Sequence, residues 1–148
     1  YQDDYGDMTN QGREGFRLLR DLPCHLVITA HARKGKDEEG MVEVGPNVTP
    51  ALQNDLFAYV DQVLHVRTLP VGETVLYTAV STPTGRFKAK DRFGALPPNL
   101  VTPTFDRLVG YVDGTLDPAT DEVQIQARQA LAQAAATSKA NTTESQED

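Results

Sequence analysis

Cys24-His-Leu-Val-Ile-Thr-Ala-His31 is the stretch whose reading decides the fold of this chain. Leu26, Val27, Ile28 and Ala30 make a short apolar run between Pro23 and the basic group Arg33-Lys34-Gly35-Lys36. A β-branched run of that length, without polar alternation, reads as a strand buried on both faces in the middle of a parallel α/β sheet. His31 then falls at the carboxyl end of a central strand, where open α/β sheets place their ligands. The competing reading is a histidine that only caps the strand end by hydrogen bonding.

Upstream, Met8, Gly12, Gly15, Phe16 and Leu19 recur at three- and four-residue steps and predict a helix over residues 8–22 with one narrow apolar face. Arg13, Arg17 and Arg20 share a second, basic face. Gly12 and Gly15 lower helix propensity, which points to close packing of the apolar face against a sheet. Pro23 ends the helix. A helix that feeds straight into a buried strand is half of a crossover unit, so at least one parallel strand is expected before residue 1 and the chain reads as truncated. The polar start Tyr1-Gln-Asp-Asp-Tyr-Gly-Asp7, with no initiator Met, agrees with that expectation.

Downstream, Ala32 to Val48 reads as a long polar loop, of the kind that is usually functional or disordered. Thr49-Pro50 opens a second helix, with Thr as N-cap, Pro in the first turn, and Leu52, Leu56, Tyr59 and Val60 as its apolar face. Val63-Leu-His-Val66 is the next strand, Pro70-Val-Gly-Glu73 a turn, and Val75 to Val80 pairs back as a hairpin. Pro83-Thr-Gly85 turns the chain again, and Pro97, Pro98 and Pro103 mark an irregular stretch. For Phe105 to Tyr111 a short helix and an edge strand both remain open. Thr120 to Ala136 has good helix propensity, and from Thr137 the composition reads as a disordered tail.

The 148 residues fit one domain, and 39% hydrophobic residues are enough for a core. Without a long apolar run, the expectation is a chain with no membrane span and no signal peptide. The single cysteine, Cys24, leaves no internal disulfide framework, so a reducing cytoplasmic setting is expected. His25, His31 and His65 are not spaced as metal ligands, and no metal site is assigned to them. The net charge of −7 is uneven. Residues 113–148 hold seven acids against two bases (−5), and residues 1–112 hold fourteen against twelve (−2). The overall acidity therefore says little about what the folded part binds. Residues 1–112 are expected to form the core and residues 113–148 an acidic tail, helical and then disordered.

Two basic clusters carry the candidate chemistry. In Lys88-Ala-Lys-Asp-Arg92 three cations alternate, so in an extended segment Lys88, Lys90 and Arg92 point the same way. They read either as charges guarding an edge strand or as a phosphate clamp, with Lys as point charge and Arg as planar fork. Arg33, Lys34 and Lys36 are followed directly by Asp37-Glu38-Glu39 and read either as a solvated run or as a DNA contact. Gly40-Met-Val-Glu-Val-Gly45 has the glycine spacing of a phosphate loop, but Pro46 and Asn47 stand where Lys and Ser or Thr are required.

In order and spacing, these residues resemble the second half of a RecA-type recombinase core. Thr29-Ala30-His31 sits where that family has a strand ending in a polar sensor of the γ-phosphate, and residues 32–48 match its second DNA-binding loop. Lys90-Asp91-Arg92-Phe93-Gly94 is similar to the Lys-Asn-Arg-Phe-Gly signature of the RadA/Sms branch, with Asp91 in place of Asn. Phage RecA-like ATPases that accompany single-strand annealing have similar Thr-Ala-His and Lys-Asp-Arg-Phe-Gly stretches. The resemblance covers about residues 8–96. It implies a three-layer α/β P-loop NTPase core fragment, its parallel central sheet extended by an antiparallel hairpin. It also implies ATP and Mg²⁺ as cofactors, single-stranded DNA as partner, and a homo-oligomeric ring or filament. His31, Lys90 and Arg92 would be its catalytic contacts, Lys88, Lys90 and Arg92 its nucleotide contacts, and Arg33, Lys34 and Lys36 its DNA contacts. The phosphate loop and the acidic Mg²⁺-binding strand of that family are not in this chain, so hydrolysis by this chain alone is not expected. The alternatives are a ring helicase or clock-type ATPase of the same fold, or a non-enzymatic interaction domain.

Overall fold

The structure, a computed structural model, describes residues 2–36, 39–72 and 74–144. Asp37 and Glu38 of the acidic run, Glu73 of the expected turn and residues 145–148 of the expected tail lie outside the described residues. The chain divides into two compact units. One gathers Tyr1–His65 with Thr82–Arg92, the other Val66–Ser81 with Phe93–Asp148.

In the first unit, helix α1 (Gln2–Arg20) lies against helix α2 (Pro50–Tyr59). The contact uses the basic face of α1. The Arg13 side chain donates to Asp55 at 2.5 Å, that of Arg17 donates to the Tyr59 hydroxyl at 3.1 Å, and the Arg20 guanidinium lies 5.5 Å from the Tyr59 ring centre. Gly12 gives the close approach expected of it, but to Leu52 of a helix and not to a sheet; a Cβ there would sit 3.3 Å from a Leu52 methyl.

The three-layer parallel core is not present. The sheets hold two or three strands each, and no parallel central sheet forms among the described residues. Leu26, Val27 and Ile28, expected as a strand buried on both faces, are irregular and exposed, Val27 to 69%. A doubly buried strand needs partners on both edges, and the chain on either side forms local structure instead. The expected loop over 32–48 is largely a hairpin, β1 (Ala32–Lys36) antiparallel to β2 (Val42–Pro46), with Lys34 opposite Val44. Pairing across a few residues costs far less loop entropy than the long crossover a parallel sheet demands. The two glycines that mimic a phosphate loop serve this hairpin. Gly40 adopts φ +81° beside its turn, and a Cβ at Gly45 would meet the end of the Gln53 side chain, which would have to shift. His31 is exposed just before β1, its carbonyl accepting from Asn47 N–H at 2.7 Å to close the base of the hairpin.

Thr49 precedes α2 as expected, yet its side chain makes no capping hydrogen bond. Pro50 opens the helix, and β3 (Gln62–Val63) follows its end, pairing antiparallel with β6 (Lys90–Asp91). That pairing brings the Lys88–Arg92 row to the carboxyl end of α2.

The second unit holds most of the core. Its sheet has the order β4 (His65–Val71), β5 (Thr74–Val80), β7 (Asn99–Val101), and Thr78, Ala79, Val80, Leu100 and Val101 are all buried. The undecided stretch is helix α3 (Phe105–Asp113), started by the Thr104 side chain, which accepts from Arg107 N–H, and ended by Gly114 in the left-handed region at φ +78°. Helix α4 (Glu122–Glu144) packs on β7 through the fully buried Gln124. Gln124 Oε1 accepts from Val101 N–H at 3.1 Å, and its Nε2 donates to Asn99 O at 2.7 Å. One side chain thus pairs the backbone edge of β7 much as a neighbouring strand would. No helix among the described residues is long and apolar enough to cross a membrane.

Candidate nucleic-acid interface

The hairpin of the first unit is extended by residues 86–88. Val44 N–H donates to Arg86 O at 2.7 Å, Lys88 N–H donates to Val44 O at 2.9 Å, and Val44 forms a parallel bridge with Phe87. Arg33, Lys34 and Lys36 all stand exposed on β1, and among the described residues none of them has a carboxylate partner. Period-two alternation puts Lys34 and Lys36 on one face of the strand and Arg33 on the other.

Lys88 meets the hairpin, and Lys90 and Arg92 meet the end of α2. Lys88 Nζ pairs with Glu43 at 2.9 Å. Lys90 Nζ donates to Phe57 O at 2.5 Å and to Val60 O at 2.8 Å. Arg92 pairs with Asp61 at 2.6 Å and donates to Ala58 O at 2.9 Å. The last turn of α2 leaves carbonyls without helical partners and carries the negative end of the helix dipole, which is where cations are stabilising. Burial, reinforced by the neighbouring Arg92 charge, holds the Lys90 ammonium below the usual lysine range. As folded, Lys90 and Arg92 cap α2 while Lys88 pairs with β2.

Beside this row lies a cavity of about 400 Å³, lined among others by Glu43, Asn54, Phe57, Arg86, Phe87 and Lys88. The Phe87 ring is stacked on His65, centroids 4.3 Å apart and planes 20° from parallel, and the Arg86 guanidinium lies 5.4 Å from its centre. Neither aromatic wall was marked by the sequence: Phe57 lies on a helix and Phe87 at a β-bridge just after a turn, and only the fold brings them together. Comparison with known protein families, curated proteins and solved structures returns no match. The residues must therefore speak for themselves. Among the described residues no three His, Cys, Asp or Glu side chains gather as a metal site would need.

The second unit contains a separate polar cluster that sequence reading missed. Arg107 pairs with Asp121 at 2.5 Å, and the Tyr111 hydroxyl donates to the same carboxylate. Asp121 Oδ1 also accepts from Val123 N–H at 3.0 Å, capping α4. Burial works against the charged Asp121, but the hydrogen bonds from Tyr111 and Arg107 outweigh it and hold the carboxyl below its usual range. Burial first, then the bond to Asp121, pushes the Tyr111 phenol up to about 12. Arg107 Nη1 and Nη2, Tyr111 and Asp121 satisfy one another, Arg107 Nε alone being buried without a partner among the described residues, and the cluster joins α3 to α4; its chemistry is structural. Because the folded state keeps the Tyr111 proton while the unfolded chain releases it near 10, stability should hold up to about pH 10 and fall between pH 10 and 12. A pH series of denaturant melts, with tyrosinate absorbance recorded alongside, checks this; a loss of stability beginning well below pH 10 would point to another group.

Proposed function

We propose that the chain is the single-stranded-DNA-contacting part of an ATP-dependent DNA recombination or repair protein, phage-encoded, cytoplasmic and homo-oligomeric. One observation carries the DNA reading: Arg33, Lys34 and Lys36 crowd one exposed five-residue strand and, among the described residues, have no carboxylate to neutralise them. Like charges so close repel, and a polyanion laid over the hairpin relieves that repulsion while releasing its own counterions. The ATP and Mg²⁺ part is supported by sequence likeness alone, through Lys90-Asp91-Arg92-Phe93-Gly94 and His31. Arg92 fits such a role best, because its exposed pair with Asp61 costs little to exchange for a phosphate.

The test is the salt dependence of single-stranded DNA binding by the whole chain. Neutralising the two phosphates that Lys34 and Lys36 can meet on one face of β1 predicts that log affinity falls against log salt with a slope of about −1.4. Arg33→Ala, Lys34→Ala and Lys36→Ala combined should flatten that slope towards zero and weaken binding most at low salt. An unchanged slope in the triple variant removes the hairpin from the interface.

A second reading, a non-enzymatic interaction domain, draws on the exposed apolar run Leu22, Leu26, Val27 and Ile28. Contiguous apolar surface of this kind marks protein contacts more often than nucleic-acid contacts. It gains if DNA binding shows no salt slope at all.

A further inference from the structure

The basic hairpin explains affinity for a phosphate backbone, but not the aromatic pocket beside it. We infer that this pocket takes one base of the single-stranded DNA whose backbone lies over β1, an inference that deepens the DNA reading above and rests on it. Five observations lead to it.

The cavity, about 400 Å³, lies in the size range of sites for small planar ligands. Its walls, Phe57 and Phe87, are the surfaces on which single-stranded bases stack, a sequence-tolerant interaction because every base has a π-face. Phe87 is braced by its stack on His65, so its ring is held in place before any ligand arrives. The rim is polar. Asn54 offers both a donor and an acceptor to a base edge, and the exposed Arg86, now over the Phe87 ring, is long enough to stack on an entering base or meet its phosphate.

Position ties the pocket to the hairpin. Lys34 is opposite Val44, and Val44 bridges to Phe87, so the three stand in one row across neighbouring strands. Two strand spacings, about 10 Å, separate the backbone of the cation from that of the aromatic. Adjacent nucleotides of one strand span that separation, placing a phosphate at Lys34 while a base enters the pocket.

The protein contains no tryptophan, so Phe87→Trp introduces a single reporter at the proposed stacking surface. The probes are an oligothymidylate and an abasic oligonucleotide of the same length and charge. Oligothymidylate should quench the Trp emission and bind tighter than the abasic strand, which should not quench. Phe87→Leu should weaken oligothymidylate binding about tenfold and leave the abasic affinity unchanged. Asn54→Ala, at an exposed helix position, should act in the same direction if Phe87→Leu folds poorly. Equal affinities for the two strands without quenching would overturn the base pocket while leaving the phosphate-binding hairpin in place. Binding of neither strand would remove the DNA reading and this inference together.

Discussion

Asp121→Ala should unfold the second unit under conditions where the parent chain is fully native. Asp121 is 8% exposed, and its carboxylate receives Arg107, Tyr111 and two backbone N–H groups of the first turn of α4. Truncation strands the Arg107 guanidinium, itself largely buried, without its counter-charge. Breaking a buried pair from one side costs about 3–5 kcal/mol, far more than an exposed pair, because an uncompensated charge stays behind. The lost cap adds about 1 kcal/mol. Whole domains hold only about 5–15 kcal/mol, so most of the margin is gone. Asp121→Asn keeps a capping acceptor and should lose less. Adding Arg107→Met to Asp121→Asn should recover part of the loss, since no buried charge then remains. Urea melts followed by circular dichroism measure all four proteins; Asp121→Ala within 1 kcal/mol of the parent would show that water reaches Arg107.

That cluster had a sequence signal. Asp121-Glu-Val-Gln124 has the spacing of a capping box, an acceptor followed three residues later by Gln. Asp121 does cap α4, but Gln124 turns to the backbone of β7, and no local pattern specifies that distant edge. Several short-range features were legible. The helix starting at Pro50, the β4–β5 strands and the basic face of α1 follow from spacing. The failures are of partnership. An apolar run such as Leu26–Ile28 says that burial is favourable, not that a strand exists to provide it, and here none does among the described residues. Polar residues 32–48 read as loop because β1 is exposed along its whole length, so burial never imprinted an alternating pattern on it. The aromatic pocket was invisible for the same reason: Phe57 and Phe87 are thirty residues apart and meet only because 86–88 docks on β2.

The Lys88–Arg92 row makes the same point, and its members should separate by substitution. Lys90→Met should destabilise the first unit by about 2–3 kcal/mol, because one ammonium serves the Phe57 carbonyl of the last turn of α2 and that of its C-cap Val60, and charge-assisted bonds of this kind are the strong ones. Lys90→Arg should restore little: a planar fork does not fit a site shaped around a point charge lying 2.5 and 2.8 Å from two acceptors. Arg92→Ala should cost under about 1 kcal/mol, since its pair with Asp61 is roughly half exposed and screened by solvent. Thermal melts of the three variants at low and at high salt give the ordering, and only the Arg92→Ala difference should shrink as salt rises. The ordering bears on function. A residue that binds phosphate must leave its resting partner, and the cheaper that exchange, the better it is suited to the task. Comparable losses for Lys90→Met and Arg92→Ala would make both parts of the α2 cap and withdraw Arg92 as a phosphate contact. A small loss for Arg92→Ala alone keeps it as a cation at this helix end whose guanidinium turns to a neighbouring anion without unmaking the cap that Lys90 holds.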